Sequence, residues 1–221
     1  MSGLLPAYVV TAGVDTWLAG LPRGGVRSLR WLTKPTLMPL LAAAMPPRGP
    51  AAGVALAGAW GGDVALMAEE DPRAFRAGVL SFALAHGAYA VALAPDVDPA
   101  RLRRSRRVRV LAAGALVASA VAAGSAGRVG DGLAAPVAGY VWCVAGTAAV
   151  SEALGDDLPP DARRMLAAGG LVFLASDTVL GVRTLLSAAD PTMAPGPLER
   201  VVMATYTSAQ LLLTAGLRRL P

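Results

Sequence analysis

Three residue types that carry much of protein chemistry occur once each in this 221-residue chain: Cys143, His86 and Lys34. A lone cysteine excludes an intramolecular disulfide, and in an apolar block it reads as a small core residue. One histidine leaves no Cys/His cluster for structural zinc and speaks against a Ser-His-Asp triad. Charged residues are scarce, at 16%, where a soluble domain carries about 25%. Aromatic residues make up 5%, too few for a base-stacking surface. The net charge of +5 and the pI near 10.1 therefore do not point to nucleic acid. Nineteen of the twenty basic residues are Arg, mostly between apolar blocks, where they serve as topology signals and contacts for anionic lipid headgroups. No Walker or dinucleotide-binding pattern is present, and the N-terminus lacks the basic region and cleavage site of a removed signal peptide, so the first apolar block reads as a retained helix.

What the chain has instead is apolar length. It is 55% hydrophobic with a mean hydropathy of +0.53. Its apolar blocks are close to the ~20 residues that a helix needs to cross ~30 Å of hydrocarbon. A soluble helical core would require polar faces at helical spacing, and several blocks are apolar on every face. The blocks predict an all-α, polytopic transmembrane bundle of about eight helices, with residues 1–221 as a single integral membrane domain. The predicted helices are Leu4 to Leu21, Ser28 to Met45, Pro50 to Ala68, Arg73 to Ala94, Val108 to Ala126, Leu133 to Leu154, Arg164 to Ser187 and Glu199 to Leu217. Pro46, Pro47 and Pro50, the run Glu69 to Pro72, the polar stretch Pro95 to Arg107, Asp156 to Arg163 and Asp190 to Pro197 separate them. Short loops predict antiparallel neighbours. Small residues at helical spacing, as from Gly53 to Gly62 and from Gly114 to Gly127, predict close backbone packing. Alternating the helices places eleven arginines on one side, dominated by the Arg101 to Arg109 cluster. Eight fall on the other: Arg23, Arg27, Arg30, Arg73, Arg76, Arg128, Arg183 and Arg200. That imbalance predicts both termini in the cytoplasm of a bacterial-type cell membrane.

Against this background ionisable residues stand out, because each costs roughly 2.5–3.5 kcal/mol to insert at the centre of a span. The candidates are Asp15, Lys34, Asp63, His86 and Asp177, with Glu152 near a helix end. At a rise of about 1.5 Å per residue, Asp15, Lys34, Asp63, Tyr140, Asp177 and Tyr206 fall in one layer, roughly 8–15 Å below the non-cytoplasmic surface, with His86 deeper. Asp63 and Asp177 each follow a small residue, Gly62 and Ser176. Two carboxylates in a dry pocket repel, so one is expected to keep its proton while the other stays ionised. Such a pair supplies a general acid and a base or cation stabiliser. The same residues fit two other roles, structural pairing with Lys34 or an Arg, and ion or proton transport. Lys34 precedes Pro35, whose missing N–H can expose carbonyls to a polar pocket, and its ammonium could hold a phosphate or snorkel to the interface. Gln210, one turn after Tyr206, could bind substrate or a neighbouring helix.

Four segments carry a family likeness: TKPTLMPLL at Thr33 to Leu41; GGDVALM and FRAGVLSFALAHGAYAVAL within Gly61 to Leu93; LVFLASDTVL at Leu171 to Leu180; and VVMATYTSAQLLL at Val201 to Leu213. In this order and spacing the sequence resembles the YhhN-type lysoplasmalogenases, a family of membrane hydrolases. The resemblance implies about eight transmembrane helices and hydrolysis of the vinyl ether bond of a lysoplasmalogen. The products would be a fatty aldehyde and glycerophosphoethanolamine or glycerophosphocholine. It implies that Asp63 and Asp177 correspond to the family's two essential aspartates, and that Lys34, Tyr206 and Gln210 line the same pocket. Tyr140 and His86 join the candidates by depth. Asp15 and the stretch Pro95 to Pro136 match poorly and take no role from the likeness. Vinyl ether hydrolysis by acid and base requires no metal or organic cofactor, and the expected partners are a lysophospholipid and membrane lipid. The rival expectations are a proton-coupled transporter and a non-enzymatic lipid-binding protein. The sequence specifies no oligomeric state.

Overall fold

A computed structural model describes residues 3–22, 24–68, 70–125, 134–190 and 196–221. Arg23, Glu69, Arg128, the predicted helix ends at Ala126 and Leu133, and most of the predicted Asp190 to Pro197 loop lie outside the described residues. Nine α-helices occur among those described: α1 Leu4–Ala19, α2 Arg30–Ala44, α3 Gly49–Ala65, α4 Pro72–Leu93, α5 Pro99–Arg104, α6 Arg106–Gly124, α7 Ala134–Glu152, α8 Pro160–Ala189 and α9 Gly196–Leu217. The only strand-like feature described is an isolated bridge between Val97 and Leu154, which ties the α4–α5 linker to the α7–α8 linker.

Local chemistry sets the boundaries. Asp71 caps α4 by accepting from the Arg73 amide at 2.8 Å, with Pro72 at the first helical position, where a missing N–H costs nothing. Asp98 and Pro99 repeat this device for α5, and Ser105 caps α6. The predicted polar stretch Pro95 to Arg107 is thus not all loop; it holds α5 and the start of α6. The predicted helix Ser28 to Met45 is a 3-10 turn over Gly25–Leu29 followed by α2. Gly24 and Gly25, at φ +91° and +52°, make the reversal that leads into it. The helix expected from Arg164 begins at Pro160, again with proline in the first turn. Asp156, exposed in the α7–α8 linker, accepts from Arg101 and Arg163, whose hydrogen bonds hold its carboxyl below the usual carboxylate range.

The packing follows the chain order but leaves out α5 and α6. Neighbours run α1, α2, α3, α4, α7, α8, α9 and back to α1, a closed ring of seven helices. The α6 helix packs on α7 outside this ring and keeps most of its surface exposed. Large apolar side chains face outward, among them Val10, Leu32, Leu84, Val91 and Val117, while Asp15, Lys34, Asp63, His86 and Gln210 face inward. This polarity suits a lipid solvent. Four segments are long and apolar enough to cross a membrane: Gly49–Ala68, Pro72–Asp96, Arg106–Gly124 and Pro160–Ser187. The α1 helix is apolar but only 16 residues long, and α2 carries Arg30, Lys34 and two prolines. The chain is a membrane protein, and among the described residues four helices qualify as spans by length and composition, against the eight expected.

The α3 and α4 backbones approach closely. A Cβ on Gly58 would lie 2.9 Å from the Ser81 carbonyl oxygen and 3.0 Å from the Ala85 amide nitrogen. The Ser81 hydroxyl closes the contact by donating to the Gly58 carbonyl at 2.7 Å. Backbone cannot swing away as a side chain can, so Gly58→Val is expected to destabilise the protein by about 1–3 kcal/mol. Thermal unfolding in detergent would check this. Gly13→Val, at a site with open space around it, is the control and is expected to change little.

Candidate active site

Asp63 comes from the last turns of α3 and is 2% exposed. Its Oδ2 accepts from the Tyr206 hydroxyl of α9 at 2.6 Å, and its Oδ1 lies 3.6 Å from Lys34 Nζ of α2. Tyr206 and Lys34 are both donors to this carboxyl, which fits the ionised form. Gly62 gives the Phe82 ring its place, since a Cβ there would sit 2.5 Å from the ring carbons. Phe82 in turn meets Tyr206 edge to face at 5.8 Å. The α2 backbone is also engaged. Pro39 has no N–H for the Pro35 carbonyl one turn earlier, and the Trp60 indole N–H takes that carbonyl at 2.9 Å. The carbonyl freed in this region is thus used to fasten α3 to α2.

Asp177, in the middle of α8, has different company. Its Oδ2 accepts from the Tyr140 hydroxyl of α7 at 2.7 Å and lies 3.7 Å from His86 Nε2 of α4. The preceding Ser176 donates to the Val202 carbonyl at 3.0 Å, which pins α8 to α9. His86 is fully buried, and its Nδ1 lies 3.0 Å from Thr147 Oγ1. Thr147 can donate to the carbonyl of His86 or Cys143, both at 3.1 Å. The tautomer that satisfies most of these contacts has a hydrogen on Nδ1. Nε2 faces Asp177 without a hydrogen bond to any described residue.

A row of rings joins the two carboxyls: Tyr206 to Phe173 at 5.5 Å, Phe173 to His86 at 4.3 Å, and His86 to Tyr140 at 5.8 Å. Lys34, Asp63, Asp177 and Tyr206 all line one cavity of about 610 Å³. His86 and Tyr140 stand behind Asp177, outside the lining. Gln210 is also outside it; it is fully buried, and its Oε1 accepts from Tyr89 at 2.5 Å.

The cavity extends from the carboxyls to the end of the bundle where α1 joins α2 and α3 joins α4. There the structure contains a second polar network. Arg30 grips Asp15 through Nε at 3.2 Å and Nη2 at 3.3 Å, and reaches Glu199 through Nη1 at 2.5 Å. Arg27 reaches the other Glu199 oxygen at 2.5 Å, and Arg183 lies 3.6 Å from it. Thr33 donates to Asp15 at 2.7 Å. Arg27, Arg30 and Arg183 read as loop topology signals in sequence, but Arg30 is 8% and Arg183 7% exposed. The usable clue was Asp15, a buried acid that requires a cation, together with the one-face spacing of Arg27, Arg30 and Lys34.

Residues 29–217 match the model of the YhhN family. The chain belongs to the YhhN family. The matched span holds both carboxyls, Lys34, His86, Tyr140 and Tyr206, and begins after α1. In this YhhN protein Asp15 therefore comes from outside the matched region, although it is locked to Arg30 within it. No curated protein and no solved structure matches the chain.

Proposed function

We propose that this YhhN protein is a lysoplasmalogenase, which hydrolyses the vinyl ether of a single-chain phospholipid to a fatty aldehyde and a glycerophospho alcohol. The observation that carries the reading is one cavity lined by two carboxyls from different helices, Asp63 held by Tyr206 and Lys34 and Asp177 held by Tyr140. Vinyl ether hydrolysis uses both. Asp177, entering the reaction as the carboxylic acid, gives its proton to the vinyl carbon distal to oxygen. The C=C electron pair forms the new C–H bond, and the adjacent carbon becomes an oxocarbenium ion. Asp63 stabilises that cation as a preorganised carboxylate. Asp177, now ionised, takes a proton from the water that adds to the oxocarbenium carbon. As the hemiacetal collapses, Asp177 gives the proton it took from water to the glycerol oxygen while that C–O bond breaks, and the hemiacetal hydroxyl returns a proton to Asp177 as it becomes the aldehyde carbonyl. Tyr140 and His86 position Asp177; Lys34 and Tyr206 position Asp63. Gln210 supports Tyr89 beneath the cavity.

In this reading the eight longer helices all cross the bilayer and α5 lies at its surface. The arginines turned inward to Glu199 bear on orientation. Removing the half-buried Arg27 and the buried Arg30 and Arg183 from the eight on their side leaves five against eleven, which strengthens the case for cytoplasmic termini. The cavity then opens toward the opposite leaflet.

The test is mass spectrometry of products after incubating purified protein with a lysoplasmalogen, the matched saturated ether and an acyl lysophospholipid. Aldehyde from the vinyl ether alone is expected. Flux across liposomes without aldehyde would instead identify a transporter. Within the site, Tyr140→Phe and Tyr206→Phe each remove one hydrogen bond to a carboxyl, an interaction of about 1.5–3 kcal/mol. Each is expected to slow aldehyde release about 10- to 100-fold with the fold intact, read as kcat against melting temperature.

A further inference from the structure

The network at the cavity mouth has no part in the two-carboxyl chemistry, yet it places guanidinium groups in the cavity wall. Arg27, Arg30 and Arg183 all line the cavity, with Lys34 further in. Their positions are fixed from behind. Asp15 takes two of the Arg30 nitrogens, Glu199 touches all three arginines, and the Leu21 carbonyl accepts from Arg27 Nη1 at 3.3 Å. A guanidinium carries five N–H donors in a planar fork that matches tetrahedral oxyanions. These contacts use one N–H on each engaged nitrogen of Arg27 and Arg30, and the remaining N–H donors can receive an anion without losing side-chain freedom at that moment.

From this we infer that the cavity mouth is a phosphodiester site, in which Arg27 with Arg30 and Arg183 receives the phosphate of a lysophospholipid headgroup. The inference rests on the proposed lipid hydrolysis and adds the substrate feature that the enzyme grips. The register agrees. Arg30 and Lys34 are four residues apart on α2, a rise of about 6 Å. In a 1-alkenyl lysophospholipid the phosphorus and the vinyl ether oxygen are five bonds apart, about 6 Å end to end. A phosphate at the level of Arg30 therefore sets the scissile bond at the level of Lys34 and its partner Asp63. An anion seated lower would meet both carboxyls, and one seated higher would pull the vinyl ether out of reach. The arginines thus act as a ruler as well as an anchor. Trp31, in the same wall and largely exposed, offers an apolar flank to the headgroup.

Binding of uncleavable ligands tests this separately from turnover. Isothermal titration in detergent would compare a 1-alkyl lysophospholipid, the 1-alkyl glycerol that lacks phosphate, and inorganic phosphate. Wild-type protein is expected to bind the lysophospholipid about 10- to 100-fold more tightly than the alkyl glycerol, the range for hydrogen bonds to a charged group. Arg27→Gln is expected to erase most of that preference and to leave the alkyl glycerol Kd of the folded protein unchanged; Arg27→Lys should recover part of it. Equal binding of the two lipids by wild type would overturn the inference, as would equal weakening of both by Arg27→Gln. Inorganic phosphate binding as tightly as the lysophospholipid would also overturn it, by assigning the arginines to free phosphate. If the binding preference holds while no vinyl ether is cleaved, the hydrolase reading fails and the headgroup site stands.

Discussion

Asp177→Asn is expected to lower aldehyde release from a lysoplasmalogen by about 10²- to 10⁴-fold, the contribution of a positioned general acid. Asp63→Asn is expected to lower it by about 10²- to 10³-fold, the loss of one preorganised stabilising charge. The two variants differ in what they do to the fold. Asp177 keeps a near-isosteric group beside Tyr140 and His86, so Asp177→Asn should unfold close to the wild-type temperature. Asp63→Asn leaves Lys34 buried at 9% exposure without its anion, and breaking a buried ion pair costs about 3–5 kcal/mol. The double variant Lys34→Met with Asp63→Asn removes both charges and is expected to regain stability without regaining activity. That separates chemistry from folding at this position. Folded protein with near-normal turnover in either single Asn variant would sink the two-carboxyl mechanism.

The second large effect lies outside the reacting groups. Asp15→Asn is expected to destabilise the protein by about 3–5 kcal/mol, because Arg30 then remains buried with one of its two carboxylates gone. The reading to take is folded yield and melting temperature in detergent. Arg30→Met combined with Asp15→Asn should recover part of the loss, since an apolar side chain is tolerated where an unpaired charge is not. An Asp15→Asn protein with an unchanged melting temperature would show that the α1–α2 ion pair carries no weight. Asp15 shares its depth with the site carboxyls, but it is bound by Arg30 and Thr33 and is not in the cavity wall. Its task is to fasten α1, the helix outside the family match, to the helix that presents Arg27, Arg30 and Lys34.

Depth along the membrane normal could be read directly from the chain, and it was nearly sufficient to find the site. Each residue adds a fixed rise, so counting from the ends of eight apolar blocks put Lys34, Asp63, Tyr140, Asp177 and Tyr206 on one level. The eight blocks return as eight longer helices, with ends shifted where Asp71–Pro72, Asp98–Pro99 and Pro160 supply local caps and starts. Those signals are written in adjacent residues and need no tertiary contact.

Azimuth is another matter. Counting could not say that Tyr140 and His86 serve Asp177 while Lys34 and Tyr206 serve Asp63, because those pairings depend on α4 lying beside α7 and α9 lying beside both α1 and α8. It could not show that Gln210, one turn below Tyr206, turns to Tyr89 and away from the cavity. It assigned Arg27, Arg30 and Arg183 to loops, because an arginine at the edge of an apolar block looks the same whether it faces water or a buried glutamate on another helix. The membrane setting and the level of the chemistry thus follow from composition and helical rise, both properties of short stretches of chain. Which donor meets which carboxyl, and that a row of arginines lines the way in, follow from side-chain packing between helices far apart in sequence, which no local pattern encodes.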